Sequence, residues 1–447
     1  MSDTIAAQAT PAGYGGVGIV RISGPEALLL AQKITCKKTI KPRSAIFSQI
    51  FDHQGEYLDE GLVLHFPAPA SFTGEHVVEF QLHGSPVVID LLLKSLVLLG
   101  VRLARPGEFS ERAFLNNKID LVQAEAIADL IESQSETAAK MAGRSLQGTF
   151  SKYVHALVDK VIQLRMYVEA AIDFPEEEID FISDGHVENQ LNDIIRHHQE
   201  LIEKANQGKI IKEGMKLVIA GQPNAGKSSL LNVLSDSDTA IVTDVAGTTR
   251  DILKEEIQIE GMPVHLIDTA GIRETENIIE QEGIKRAKHQ LEQADHIFWV
   301  YDAKQDPEDQ SHDQSYAWSK LPKGIDVTFI RNKIDLLNEK PSVEKNRISV
   351  SAKSNQGIQL IRDHLKNVMG YKGQGEGEFL ARRRHMQSLG KAEIHLAESV
   401  KALHNNHEGE IIAEELRLAQ NALNEITGEF SSDDLLGEIF SSFCIGK

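Results

Sequence analysis

Cysteine is scarce in this chain: Cys36 and Cys444 are the only two among 447 residues. Two thiols cannot build a disulfide framework, so a reducing compartment, the cytoplasm, is expected. Long apolar runs are missing as well. The most apolar stretch, 87–101, is interrupted by Asp90 and Lys94, and it is shorter than the roughly 20 residues a membrane helix needs. The opening MSDTIAAQAT lacks a basic segment followed by an apolar run, so no secretory leader is expected. Positive charge is in deficit: 47 Lys and Arg against 66 Asp and Glu give a formal net charge of −19. That balance excludes a general attraction to polyanions, so a nucleic acid must meet a local basic cluster or arrive with a basic partner. No fixed-period repeat is visible, and 33 Gly and 13 Pro are too few for a collagenous or low-complexity chain.

What is present suggests about three domains, at roughly 150 residues each. Residues 1–116 read as a mixed α+β region. Its Gly-rich turn GYGGVG (13–18) precedes the strand-like IVRIS (19–23), and EHVVEFQL (75–82) alternates as a half-buried strand does. The run VVIDLLLKSLVLLG (87–100) reads as a buried helix ended by its glycine. Residues 117–212 read as helical. Leu121, Ala124, Ala128 and Ile131 share one face, and Val154, Leu157, Val161, Leu164 and Val168 share another. Pro175 is expected to end that second helix, before a solvated acidic run at 176–181.

From 213 to 372 the texture changes. The short apolar runs KLVIA (216–220), VHLID (264–268), HIFWVYD (296–302), DVTFI (326–330) and RISV (347–350) alternate with helical stretches. Such runs argue for a doubly wound, mostly parallel sheet. A Gly-rich hinge, GYKGQGEGE (370–378), leads into a second helical region, 373–447. There Ala392, Leu396, Val400 and Leu403, then Ile412, Leu416, Ala419 and Leu423, keep helical spacing. The expected fold class is therefore multidomain: an α/β domain inserted in an α-helical domain, with an α+β domain ahead of both.

Four short motifs fall at the ends of the predicted strands. Gly221-Gln-Pro-Asn-Ala-Gly226-Lys227-Ser228 fits the phosphate-binding pattern GxxxxGK[ST] between a strand and a helix. Its backbone N–H groups and the helix dipole capture anions, Lys227 reaches the β- and γ-phosphates, and Ser228 offers a hydroxyl to Mg²⁺. Asp268-Thr-Ala-Gly271 places a carboxylate near the Mg²⁺ shell and a backbone N–H near the γ-phosphate. Asn332-Lys333-Ile-Asp335 supplies a carboxylate for the paired N–H groups of guanine, which adenine lacks. Ser351-Ala352-Lys353 completes a base-side loop. Ligands of such sheets sit beyond the carboxyl ends of the strands, so the four motifs together point to a P-loop GTPase. The expected GTP-binding set is Asn224, Ala225, Gly226, Lys227, Ser228, Ser229, Thr243, Thr248, Thr249, Asp268, Gly271, Asn332, Lys333, Asp335, Ser351, Ala352 and Lys353. Thr249, in the loop Thr243-Asp-Val-Ala-Gly247-Thr248-Thr249-Arg250-Asp251, can close over the γ-phosphate and Mg²⁺. Ile272 stands where Ras-like GTPases carry a water-orienting Gln, and any of Glu274, Glu276, Glu280 and Glu282 can supply a carboxylate instead.

GQPNAGKSSL, DVAGTTRD, DTAGIRE and NKID resemble the TrmE-type GTPases. QATPAGYGGVGIVRISG, SFTGE (71–75), LHGSP (82–86), RPGEFSERAFLNNKIDLVQAEAI (105–127) and the terminal FCIGK (443–447) resemble the tRNA-modifying MnmE branch of that family, so the likeness covers essentially the whole chain. The resemblance implies a homodimer that works with the flavoprotein MnmG, which brings FAD and NADH. Together they add an aminomethyl or carboxymethylaminomethyl group to C5 of the wobble uridine of certain tRNAs. The one-carbon donor is a tetrahydrofolate derivative of the 5,10-methylene or 5-formyl kind. By motif, the folate residues are Arg21, Glu79, Lys118 and Lys447, a carboxylate for pterin donors and cations for a glutamate tail. The resemblance also implies a K⁺ ion held by Asn224, Thr243, Val245 and Thr248, a catalytic Glu280 that orients water, and Cys444 as a candidate nucleophile at the modification centre. Candidate tRNA contacts are Lys37, Lys38, Lys41 and Arg43, and the run Arg382-Arg383-Arg384-His385. The alternative is a GTP-dependent regulatory switch of the ribosome-assembly kind, whose output is binding rather than chemistry.

Overall fold

The computed structural model describes residues 3–133, 135–173, 185–221, 224–236, 254–259, 262–268, 294–305, 325–369, 378–404, 409–429, 433–441, 443 and 446. The chain divides into two compact units. One holds Met1–Ala128, Ser145–Ile194 and Lys391–Lys447; the other holds Asp129–Arg144 and Ile195–Gly390.

The first unit contains a six-stranded sheet built from β1 (Ile5–Gln8), β2 (Gly15–Ser23), β3 (Ile46–Phe51), β4 (Tyr57–Phe66), β5 (Val77–Gly84) and β6 (Arg102–Leu103), in the order β3-β4-β5-β2-β1-β6. All pairs are antiparallel except β1 with β6. Successive residues of a strand point to opposite faces. Val20 and Ile22 of β2 and Val78, Phe80 and Leu82 of β5 therefore enter one core with α1 (Ala27–Thr35) and α2 (Pro86–Leu98). Arg21 and Glu79, one residue out of phase with those, belong to the other face. A smaller cluster of Ile5, Ala7, Ala104 and Phe109 forms there, Phe109 coming from α3 (Glu108–Leu115).

The run at 87–100 is a helix that stops before Gly100, but it is amphipathic rather than buried. Ile89, Leu92 and Leu96 face the core, while Val87, Leu91 and Leu98 are exposed. The helices α4 (Leu121–Glu132) and α6 (Thr149–Asp173) bury the faces expected of them, save for the exposed Ile131. Between them lies α5 (Glu136–Leu146), and α7 (His186–Glu213) follows. Within the first unit, α6 packs along a later helix, where Arg165 donates to Gln420 at 2.7 Å.

The second unit holds a seven-stranded sheet: β7 (Met215–Gly221), β8 (Lys254–Ile259), β9 (Met262–Asp268), β10 (His296–Asp302), β11 (Asp326–Asn332), β12 (Ser342–Glu344) and β13 (Arg347–Ser349). Its order is β12-β13-β11-β10-β7-β9-β8. The five inner strands are parallel, and the two edge strands run antiparallel. The expected doubly wound sheet is thus present, and the chain reverses its winding at β7, between β9 and β10. The helices α8 (Lys227–Asp236) and α9 (Ile358–Met369) pack on it, and so do Ala138, Met141 and Ala142 of α5. Among the described residues the remaining α-helices are α10 (Arg383–His404), α11 (Gly409–Thr427), which carries Gln420, and α12 (Asp433–Ser441).

Candidate functional site

Register sets the nucleotide site. Gly221 ends β7, Asp268 ends β9, Asp302 ends β10 and Asn332 ends β11, all at the same edge of the parallel sheet. Between β7 and α8 the chain makes the phosphate-type turn. Asn224 has φ 61° and Gly226 φ 90°, backbone conformations in which successive N–H groups can face one anion. A Cβ on Gly226 would stand 2.4 Å from Asn332 Nδ2, so only glycine fits there. Lys227 opens α8, and its Nζ donates to the Gly221 carbonyl at 3.0 Å, across the mouth of the loop. Ser228 and Ser229 are exposed in the first turn of the helix, where a hydroxyl meets an anion-bound cation. Among the described residues no group of three or more His, Cys, Asp or Glu side chains could hold a metal. A hydroxyl beside phosphate oxygens is instead the donor chemistry that suits Mg²⁺.

The base-side motifs interlock with that turn. Asn332 is buried and bonded at both ends of its amide: Nδ2 donates to Ala225 O at 2.9 Å, and Oδ1 accepts from Lys333 N at 2.8 Å and Ala352 N at 3.0 Å. Lys333, at φ 70°, sends its ammonium to Asn224 O at 2.6 Å and to Asp302 Oδ2 at 2.9 Å. Asp335 lies in a short 3₁₀ turn, 334–337, and accepts from Ser351 Oγ at 2.5 Å. Ser351 is fully buried and also accepts from Ser354 N, so it fixes the direction of the carboxylate; Lys353 is exposed. Asp302 is the member of this group that no motif flagged. Its only signal in the sequence is its place as the final residue of an apolar run. Burial works to raise its carboxyl, but hydrogen bonds from Lys333 and from the Lys304 N–H outweigh that and hold it below the ordinary carboxylate range.

A second constellation forms in the first unit. Arg21 and Glu79 are register partners on β2 and β5, and Arg21 Nε donates to Glu79 Oε1 at 2.9 Å. The guanidinium lies 5.9 Å from the Phe72 ring centre and 5.6 Å from that of Phe109, within range of a cation–π contact with each. Arg21 Nη1 also reaches the Gly446 carbonyl at 3.4 Å. Gly446 has φ 93°, and a Cβ there would meet Gln8 O at 2.1 Å, so its close approach to β1 requires glycine. Lys118 is exposed, and its Nζ donates to Pro69 O at 3.0 Å, in the segment that carries Phe72. The resemblance named Arg21, Glu79 and Lys118; it did not name Phe72 and Phe109, which the structure sets within reach of Arg21.

The same segment is pinned by charge. Arg112, nearly buried, binds Glu75 Oε2 at 3.0 Å, Glu108 Oε1 at 3.2 Å and Asp3 Oδ1 at 2.6 Å. Glu75 also accepts from Ser23 Oγ at 2.7 Å, and that hydroxyl shares a hydrogen bond with Thr73. Hydrogen bonds from Arg102 and then Arg112 pull the Asp3 carboxyl down to about 2. SFTGE and RPGEFSERAF are therefore two halves of one ionic staple.

Of the remaining expected residues, Thr243, Val245, Thr248, Thr249, Gly271, Glu280, Cys444 and Lys447 lie outside the described residues. Asp268 is described as the end of β9. Of the candidate basic run at 382–385, Arg383 is exposed and Arg384 half-buried, while the other two are engaged within the fold. Arg382 is paired with the buried Asp129 at 2.6 Å, and His385 is buried and accepts from Arg382 N. Lys38, Lys41 and Arg43 are exposed and Lys37 is partly so; Arg43 donates to Ala70 O.

Comparison with known proteins agrees with these motifs. The family model described as "GTP-binding protein TrmE N-terminus" matches residues 4–118, and that described as "MnmE helical domain" matches residues 121–444. The tRNA modification GTPase MnmE of Mannheimia succiniciproducens is 56% identical over 452 residues, covering 100% of this chain and 99% of that protein. The protein of the same name from Vibrio cholerae is 55% identical over 455 residues, with both chains fully covered. The FeoB G domain from Methanococcus jannaschii is 20% identical over 35% of this chain and 97% of that one, at a TM-score of 0.26, too low to argue from. With a phosphate-type loop, a guanine-type loop and relatives of this identity along its whole length, the chain is a GTP-hydrolysing enzyme and belongs to the TrmE/MnmE family of tRNA modification GTPases.

Proposed function

We propose that this enzyme is a K⁺-dependent GTPase that, with the flavoprotein MnmG, modifies the wobble uridine of certain tRNAs. The product carries an aminomethyl or carboxymethylaminomethyl group on C5, its one-carbon unit drawn from a tetrahydrofolate derivative. In this reading 1–116 binds folate and pairs two copies of the chain, 213–372 is the G domain, and 117–212 with 373–447 links them. The site of action is the cytoplasm. Among the described residues no helix is long and apolar enough to cross a membrane.

Each group of residues has its task. The loop through Asn224, Ala225, Gly226, Lys227, Ser228 and Ser229 holds the phosphates, and Ser228 and Thr249 would hold Mg²⁺, which would neutralise phosphate charge. Asp268 would face the Mg²⁺ shell, and the Gly271 N–H would register the γ-phosphate. Asn332, Lys333, Asp335, Ser351, Ala352 and Lys353 hold guanine. Asn224, Thr243, Val245 and Thr248 would hold K⁺, which supplies positive charge where a guanidinium otherwise neutralises the transition state. Glu280 orients the attacking water. Arg21, Glu79, Lys118 and Lys447 take the folate, with the exposed Phe72 as a flat apolar wall for a pterin and the buried Phe109 against the Arg21 guanidinium, and Cys444 acts beside it. Lys37, Lys38, Lys41 and Arg43 meet tRNA phosphates.

One observation carries the one-carbon half of this reading: Arg21, on the sheet face opposite the main core, joins Glu79, two aromatic rings and the Gly446 carbonyl in one place. That arrangement suits a planar, hydrogen-bonding ligand next to the chain end that bears Cys444. The test is mass spectrometry of tRNA nucleosides from a strain lacking this gene, complemented by the wild-type chain or by Arg21→Ala. The wild-type chain should restore the modified uridine and Arg21→Ala should restore little of it. Full restoration by Arg21→Ala would remove the folate assignment, and an unchanged nucleoside profile in the deletion strain would remove the tRNA assignment.

A further inference from the structure

We propose that Asp302 is a positioning residue for guanine-nucleotide binding: its carboxylate steers the Lys333 ammonium onto the Asn224 carbonyl and so ties the base-side loop to the phosphate-side loop. The inference deepens the reading of this edge of the sheet as the nucleotide site and rests on it. Asp302 closes β10, directly across from Asn332 in the β10–β11 register. One oxygen, Oδ1, is anchored locally by the Lys304 N–H at 3.0 Å. The other, Oδ2, takes the Lys333 ammonium at 2.9 Å. The same ammonium donates to Asn224 O at 2.6 Å. A single cation therefore joins the loop after β7 to the ends of β10 and β11.

The two residues it joins both hold left-handed backbone conformations, Lys333 at 70° and Asn224 at 61°. Non-glycine residues keep such angles when neighbouring contacts over-determine them. Asn332 joins the same loops from below through Ala225 O. Lys333 and Asp302 supply the second, outer tie. The Asp302 and Lys333 side chains are 19% and 30% exposed. The pair lies at the rim of the site, in contact with solvent on one side, so its contribution to folding stability is modest. Its consequence is directional: an ammonium on a long, flexible stem has many positions, and a fixed carboxylate selects one.

The test uses the full chain and a fluorescent GDP analogue followed by stopped-flow displacement. Asp302→Asn keeps the shape and removes the charge. It should speed release of the analogue about ten-fold and leave both the melting temperature of the nucleotide-free protein and the preference for guanine over adenine unchanged, because Asp335 is untouched. Asp302→Glu should recover most of the slow release. A double-mutant cycle provides the decisive comparison. If Asp302 acts through Lys333, then Asp302→Asn should add nothing to release from Lys333→Met. Release at the wild-type rate from Asp302→Asn would overturn the proposal, and so would an equal acceleration in the Lys333→Met background. Lys227→Ala separates the layers: it should abolish binding of the analogue. Wild-type binding by Lys227→Ala would overturn the assignment of the nucleotide site itself, whatever Asp302 does.

Discussion

Truncating Asn332 to alanine tests how the nucleotide site is held together. The side chain is 2% exposed and makes three hydrogen bonds, to Ala225 O, from Lys333 N and from Ala352 N. Each is worth about 1 kcal/mol net, and a partner left unsatisfied in a dry site costs about 1–3 kcal/mol. Loss of all three gives roughly 3–5 kcal/mol against the arrangement that receives the nucleotide. At about 1.4 kcal/mol per factor of ten, affinity for a GDP analogue should fall at least about a hundred-fold. Equilibrium titration measures that fall. Hydrogen exchange followed by mass spectrometry should show lost protection in peptides spanning Lys333 and Ala352. Asn332→Asp gives a finer readout. It keeps the acceptor for the two N–H groups but sets an oxygen 2.9 Å from the Ala225 carbonyl, where a donor stood, so protection should persist at Ala352 while nucleotide affinity drops. Affinity within three-fold of wild type for Asn332→Ala, with unchanged exchange, would refute the argument that this amide knots the loops together.

Two further outcomes follow from the remaining titratable and basic groups. His296 is buried, shares the Thr328 hydroxyl with His364, and has its pKa lowered from 6.5 to about 4 by burial and then by His364. Because the neutral form is the folded one, its stabilisation is complete above pH 6.5 and is lost as pH falls toward 4, by up to about 3 kcal/mol; urea unfolding across that window should lose much of its pH dependence in His296→Gln, and an unaltered slope would show that this histidine is not the group titrating. Reversing charge with Lys38→Glu and Lys41→Glu together should weaken tRNA binding and reduce its dependence on salt by about two phosphate contacts; filter binding at several salt concentrations reads this, and an unchanged slope would place the tRNA elsewhere.

The difference between what was legible and what was not has a physical basis. Local rules were enough to place the helical faces of α6 and α11, because each depends on spacing of 3.6 along one segment. They erred on α2, whose apolar composition hides an amphipathic pattern: Val87 and Leu91 are as apolar as Leu92 and Leu96 but face solvent. The strands β3 and β4 gave no clear signal. Gly61 interrupts β4, and that glycine is required because a Cβ would stand 2.1 Å from Gln81 O of the neighbouring strand. A requirement imposed by another strand has no trace in a local pattern.

The sites divide in the same way. By itself the sequence determined that a glycine-rich turn joins a buried strand to a helix and that NKID and SAK follow later strands, since strand-end loops of a parallel sheet are dictated by short, contiguous residues. Only the tertiary structure decided that the β10–β11 register sets Asp302 across from Asn332, that β2 and β5 pair Arg21 with Glu79, and that Gly446 returns to β1. It also buried His385 and tied the half-buried Arg382 to the buried Asp129. These partners are separated by 30 to more than 400 residues, as Asp302–Asn332 and Arg21–Gly446 are, and chemistry over such distances along the chain depends on register and packing, which no local window contains.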